Sequence, residues 1–301
     1  MATDLQTYVE RIGDGYQLTM ADIANPLNRG LVEAYCKSKC RFVNVPDDAS
    51  IAMVLGKYKM WVDLRDERLC PHLVFDGFWE MWVTSALARL TPVGTLAIDI
   101  GAHVGYYTML MADAVGPEGN VLAFEPNPRL ANFLRASASA NGFGGRIAVR
   151  EEAVSDRTEG DLEFAVPRIS PQNAAVIYDR GQAQGFRNVF GEGVEFLHVK
   201  PITLDSLDLA KVGMVKIDAE GAELSIWRGM QKTIEHNPDI RICLEFQTDR
   251  SYDWQSFFRD MEARFGWVRH IDFDGLIKPL DVATIERERP NGDWMLYLAR
   301  D

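Results

Sequence analysis

From Thr95 onward, short apolar runs alternate with segments whose apolar residues recur at helical spacing. TLAIDIG (95–101), NVLAFEPN (120–127), RIAVREEAVS (146–155), MVKIDAEG (214–221), RICLEFQT (241–248), WVRHIDF (267–273) and WMLYLARD (294–301) read as strands. YYTMLMADAVG (106–116), PRLANFLRASASANGF (128–143), AELSIWRGMQKTIEHN (222–237) and YDWQSFFRDMEARFG (252–266) read as helices; the second has Pro128 at its first turn and closes near Gly142. Strands alternating with helices predict an α/β fold around a mostly parallel sheet. Residues 1–90 follow a different pattern. LNRGLVEAYCKSKC and GFWEMWVTSALARL have helical spacing and the rest is irregular, so an N-terminal helical extension precedes a main domain at 91–301. Within that domain the polar, glycine-dotted stretch 166–199 breaks the rhythm and predicts a lid-like insertion over one end of the sheet.

Composition narrows the partners. The 301 residues carry 32 basic against 44 acidic side chains, a net charge of −12, which repels a polyphosphate backbone and excludes nucleic acid as a partner. The four cysteines are too scattered for a disulfide framework, and the close pair Cys36 and Cys40 lacks the second pair of a zinc site. No apolar run is long enough for a membrane span and the N-terminus has no leader-like order, so the expectation is a soluble cytoplasmic protein; self-association stays open.

The chemistry starts at the first strand. IDIGAHVG leads from the strand into a glycine turn and then a helix, the place where open α/β sheets hold small molecules. A dinucleotide turn needs a middle glycine where this chain has His103, and the Gly-Lys-Ser/Thr ending of a triphosphate loop is absent. Linked phosphates are disfavoured. Glu125, 26 residues beyond Asp99 at the end of the next strand, is placed to accept hydrogen bonds from ribose hydroxyls. Asp99, Gly101, Ala102, His103, Gly105 and Glu125 thus suit a nucleoside with an amino-acid tail, and S-adenosylmethionine answers that description; Asn127 stands beside it as a ribose or adenine contact or as a turn residue.

With IDIGAHVGYYT, AFEPNP, EEAVSD, ITLDSL, VKIDAEGAELSIWRGM and ICLEF, roughly residues 75–250 resemble the FkbM-type class I methyltransferases. KIDAEGAE is the most specific of these motifs. The resemblance implies a Rossmann-like, seven-stranded sheet with one antiparallel strand and helices on both faces, S-adenosylmethionine as donor, and O-methylation of a hydroxyl on a sugar, glycan or natural product. It also implies an adenine edge at Glu152, Ala153 and Val154. His103 departs from the family, which more often has Asn there.

Asp218, Glu220 and Glu223 fall at the end of the fourth strand and the start of its helix, and Glu245 near the end of the fifth, so they are expected to converge on one crevice; Lys216 alternates with Ile217 along the strand and is a candidate partner for one of these acids. Helix-start acids are also favoured by capping and by the helix dipole, which alone suffices to account for Glu220 and Glu223. A hydroxyl acceptor must lose its proton, so Asp218, Glu220, Glu245 and His103 are the catalytic candidates, and Asp218 doubles as a cofactor contact. The same three acids would suit Mg²⁺, although no spacing demands a metal. His72, Trp79 and Glu80 are candidates for the acceptor pocket; His198, His236 and His270 read as surface or structural. Two competing readings stand beside the enzyme: a nucleoside-binding module without catalysis, and a nicotinamide-dependent dehydrogenase.

Overall fold

The computed structural model describes residues 16–250 and 252–300, so the N-terminal stretch read for a leader lies outside the described residues. From Thr95 the expected alternation is realised. Strands β4 (Leu96–Ile100), β5 (Asn120–Phe124), β6 (Ile147–Arg150), β12 (Val212–Ile217), β13 (Arg241–Gln247), β14 (Val268–Ile271), β15 (Ile277–Leu280) and β16 (Asp293–Leu298) form one sheet in the order β15-β14-β16-β13-β12-β4-β5-β6. β6, β5, β4, β12 and β13 pair in parallel, β16 runs antiparallel to both β13 and β14, and β15 is a hairpin partner of β14. The seven expected strands are therefore present with an eighth at the edge, and two strands rather than one run against the rest.

Strand parity splits the core in two. Ile98, Ile100, Val215, Ile217, Leu244 and Phe246 point to one face, where they meet α7 (Glu223–Arg228), α8 (Gln231–His236), α9 (Trp254–Phe265) and α10 (Val282–Glu288). Ala97, Ala123, Met214 and Cys243 point to the other, against α3 (Met81–Leu90), α4 (Tyr106–Ala114) and α5 (Pro128–Ala140). Asp99, Lys216 and Glu245 share this second face by the same alternation. Helices cover both faces, as expected.

Three segments depart from the sequence expectation. The N-terminal region holds α1 (Met20–Ala24) and α2 (Arg29–Lys39), but also a three-stranded antiparallel sheet, β1 (Phe42–Val45), β2 (Ala49–Val54) and β3 (Tyr58–Asp63), where irregular chain was expected. The single helix expected at 222–237 is two, α7 and α8. A side chain at Gly229 would bring its Cβ to 1.9 Å from the Ser155 carbonyl oxygen, and the chain breaks there. The insertion begins earlier than 166 and is folded: β8 (Leu162–Pro167), β9 (Ala175–Ile177) and β10 (Val194–Val199) make an antiparallel sheet carrying α6 (Arg180–Phe190). The expected third strand also ends at Arg150. Ala153 and Val154 (β7) pair instead with Pro201 and Ile202 (β11), outside the main sheet. No helix among the described residues is long and apolar enough to cross a membrane, and all four cysteines are free.

Candidate functional site

A cavity of about 610 Å³ lies over the carboxyl ends of β4, β5, β12 and β13. Its floor is the β4–α4 turn. Gly101 has φ +78°, and a Cβ there would sit 1.8 Å from the Asp218 carbonyl oxygen, so only glycine lets the ends of β4 and β12 close together. The Gly101 and Ala102 amides both donate to the Phe124 carbonyl, at 3.1 and 3.0 Å, which ties the turn to β5. His103 follows in the left-handed region at φ +51°.

Glu125 organises this end. Its Oε2 accepts the His103 amide at 2.8 Å and its Oε1 the Asn127 amide at 2.9 Å, so one carboxylate locks both loops. Burial lifts its carboxyl to about 7, with the two amides pulling the other way. Glu152, Ala153 and Val154 line the same end; Glu152 is paired with Arg150, whose Nε lies 3.1 Å from its Oε2, and that partner holds its carboxyl below the usual range. Three expected cofactor contacts are elsewhere. Asp99, Gly105 and Asn127 do not line the cavity. Asp99 is buried behind it and accepts a 2.6 Å hydrogen bond from the Thr108 hydroxyl, and Asn127 caps α5 by accepting the Arg129 amide at 3.0 Å.

Opposite stands an acidic end. Asp218, Glu220 and Glu245 each line the cavity and offer ligand atoms within 4.8 Å of one another. Lys216, 1 % exposed, donates to Asp218 Oδ2 at 3.0 Å and lies 4.6 Å from the Tyr107 ring centre. Its neighbours Asp218 and Asp99 raise the ammonium pKa against the effect of burial, so it stays charged. Arg250 donates to Glu220 Oε2 at 2.9 Å, and burial still raises the Glu220 carboxyl. Glu245 is the outlier. Burial and the charges of Asp218 and Glu220 push it well above the carboxylate range, and its buried Oε2 has no hydrogen-bond partner among the described residues. Glu223 is set apart from the cavity: its Oε1 accepts the Ala219 and Gly221 amides at 3.2 and 3.0 Å and holds the 218–222 loop in shape.

The cavity also takes residues from both additions. From the N-terminal region come Arg68, Trp79 and Glu80; from the insertion come Phe164, Gln172 and the α6 pair Phe186 and Phe190. His103 lines it too, with Nε2 3.5 Å from Asp66 Oδ2, and burial lowers its pKa so that the ring is neutral near pH 7. His72 lies outside, half exposed, with its Nδ1 3.1 Å from Asp76. Neither His198 nor His236 reaches the cavity, and His270 packs on Trp294 at 5.0 Å. Sequence reasoning missed Tyr107, Arg250 and Asp293 as lining residues; only the two tyrosines directly after the glycine turn gave a local signal.

Residues 99–273 match the model of the methyltransferase FkbM domain. A hexuronic acid methyltransferase, AglP, from Haloferax volcanii is 27% identical over 141 residues, which is 46% of this chain and 50% of that protein. A protein-L-isoaspartate O-methyltransferase from Aeropyrum pernix is 37% identical over 67 residues, 22% of this chain and 25% of that one. The chain thus spans half or less of these relatives. Among solved structures, an FkbM methyltransferase from Methylobacillus flagellatus is 16% identical with a TM-score of 0.40, over 68% of this chain and 43% of that one.

Proposed function

Since the chain belongs to the FkbM methyltransferase family, we propose that it is an S-adenosylmethionine-dependent O-methyltransferase acting on a hydroxyl of a sugar, glycan or natural product. The observation that carries this reading is the pairing, across one cavity, of a backbone-lined glycine turn and Glu125 with the acids Asp218, Glu220 and Glu245. The residues fit the cofactor. Gly101 lines the cavity without a side chain and lets the ends of β4 and β12 close together, so the turn meets a ligand with backbone. Glu125 spends one hydrogen bond per oxygen on the backbone and keeps lone pairs for two ribose hydroxyls. The buried, unpartnered Oε2 of Glu245 suits a cationic ligand.

When bound, the cofactor supplies an electrophilic methyl group on a sulfonium, so the protein's task is alignment and proton removal. Ala153 and Val154 provide the apolar edge for adenine. Asp218 is the assigned base. Burial raises the carboxyls of both Glu220 and Glu245, whereas Asp218 lines the cavity with one oxygen on Lys216 and the other without a side-chain partner among the described residues. His103, neutral and beside Asp66, is the second proton acceptor in reach of the cavity. The three acids also form a set of hard oxygen donors suited to Mg²⁺, which would lower the acceptor hydroxyl's pKa. Trp79, Gln172, Phe186 and Phe190 make the acceptor end, giving the N-terminal region and the lid-like insertion their roles. The hexuronic acid methyltransferase relative supports a sugar acceptor.

Calorimetric titration with S-adenosylmethionine, its demethylated product and NAD, with and without magnesium, tests the assignment. Both sulfur nucleosides should bind and NAD should not; preference for NAD would overturn the reading, and tighter product binding with magnesium would place the metal. Asp218→Asn should retain cofactor binding while slowing turnover by roughly 10²-fold or more. Unchanged turnover removes Asp218 from the reaction and turns attention to His103, while a wild-type protein that binds but never turns over is a nucleoside-binding module.

A further inference from the structure

Around the acidic end the charges do not balance. Arg250 is spent on Glu220 and Lys216 on Asp218, and Glu80, which also lines the cavity, has no cation of its own among the described residues. It is nevertheless held in one place. The Tyr107 hydroxyl donates to its Oε2 at 2.9 Å, and its backbone sits at φ 33°, ψ 64°, a left-handed conformation that strains a non-glycine residue. Strain of this kind clusters at ligand clamps and active sites, which singles out Glu80 among the lining residues from the N-terminal region.

Four groups act on this carboxyl: Tyr107 from the first turn of α4, Lys216 from β12, Asp218 just past its end, and Asp293 from the start of β16. Burial and the Asp218 charge lift it to about 6, with Tyr107 and Lys216 opposing the rise. A cation arriving between Glu80 and Asp218 relieves both effects. Tyr107 stands two residues past the 101–105 turn, which brings Glu80 to the end of the cavity where the amino-acid tail of the nucleoside would reach. An ammonium offers three donors and a sulfonium none, and Oε1 of Glu80 is free to accept one.

Resting on the cofactor assignment above, we propose that Glu80 is the ligand for the ammonium group of the cofactor's amino-acid tail, so that the N-terminal segment, outside the family-matched 99–273, completes the cofactor site. The test is calorimetry at pH 7.5 with S-adenosylhomocysteine and its des-amino analogue. Glu80→Gln should weaken the amino-bearing ligand roughly tenfold or more and leave the des-amino analogue unchanged, as expected for a lost hydrogen bond to a charged group. Equal affinity of Glu80→Gln and wild type for S-adenosylhomocysteine, or an equal loss for both ligands, overturns the proposal. A second measurement needs only the wild type: affinity for S-adenosylhomocysteine should rise as pH passes about 6, more steeply than for the des-amino analogue. Identical slopes overturn it. Failure of the wild type to bind either ligand sinks the cofactor assignment and this inference with it.

Discussion

The two ends of the cavity are built on opposite principles. At the glycine turn, the amides of residues 101 and 102 already donate to the Phe124 carbonyl and those of 103 and 127 to Glu125, so the shape is set before any ligand arrives. At the acidic end, Glu80 and Glu245 carry raised pKa values because burial and neighbouring carboxylates leave them short of cations. The first end is a finished scaffold; the second is complete only with positive charge in it. Preorganised backbone confers shape specificity, and unbalanced buried charge confers selectivity for a cationic ligand.

The scaffold end breaks most severely. Gly101→Ala places a methyl where the Asp218 carbonyl stands and forces alanine to φ +78°. The strain alone is about 1–3 kcal/mol, and parting β4 from β12 disrupts the acidic end as well. Differential scanning calorimetry should record a melting temperature lower by several degrees, and titration should find cofactor binding lost. An unaltered melting temperature would mean that the turn can relax, and the contrast between the two ends would lose its basis.

Charge at the scaffold end is tested by pH. The Glu125 carboxyl moves from 4.5 in its ordinary state to about 7 in the fold. Its folded pKa is raised, so its contribution to stability is fully present below pH 4.5 and is lost as pH rises through about 7, by roughly 1.4 kcal/mol per unit in that window. Ribose hydroxyls donate to the ionised form, so cofactor affinity runs the other way and climbs over the same range. Glu125→Gln should reduce both slopes, leaving in the binding slope only the part that Glu80 contributes, read from denaturant titrations of the free protein and calorimetry of the complex at pH 5, 6, 7 and 8. If the wild-type slopes persist in Glu125→Gln, the carboxyl is not the titrating group.

How much of this was legible in the sequence depends on how local each signal was. The β4 strand, its glycine turn and Glu125 lie within 30 residues and carry their own pattern, so they were read correctly as elements. The role of Asp99 was not readable. It faces the interior beside Lys216 only because β4 pairs with β12, with Asp99 opposite Lys216, and that adjacency joins segments more than 100 residues apart. The N-terminal sheet was hidden for another reason: ASIAMV and YKMWVD mix strand-favouring residues with Ala, Met and Lys, whose preference is helical, and pairing across a short hairpin overrides it. The break at Gly229 depends on the close approach of Ser155, again a tertiary fact. Glu80 carries no motif at all. Its significance comes from a left-handed backbone and a tyrosine 27 residues away.

The smallest expected effect sharpens the contrast within one loop. Glu220 and Glu223 are three residues apart, both acidic and both raised by burial, yet Glu220 lines the cavity and Glu223 does not. Glu223 serves the backbone: one of its oxygens accepts the Ala219 and Gly221 amides, a task that a neutral amide oxygen performs equally well in kind. Glu223→Gln should therefore change stability by no more than about 1 kcal/mol and leave turnover and cofactor affinity close to wild type. Glu220→Gln removes a charge from the cavity and leaves Arg250 without its ion partner, so its effect belongs in turnover. Steady-state kinetics on the pair, with melting curves alongside, separates the two roles: a turnover loss in Glu223→Gln as large as that in Glu220→Gln would mean that the loop's acids act as one group, and that the division between scaffold and charge does not hold at 218–223.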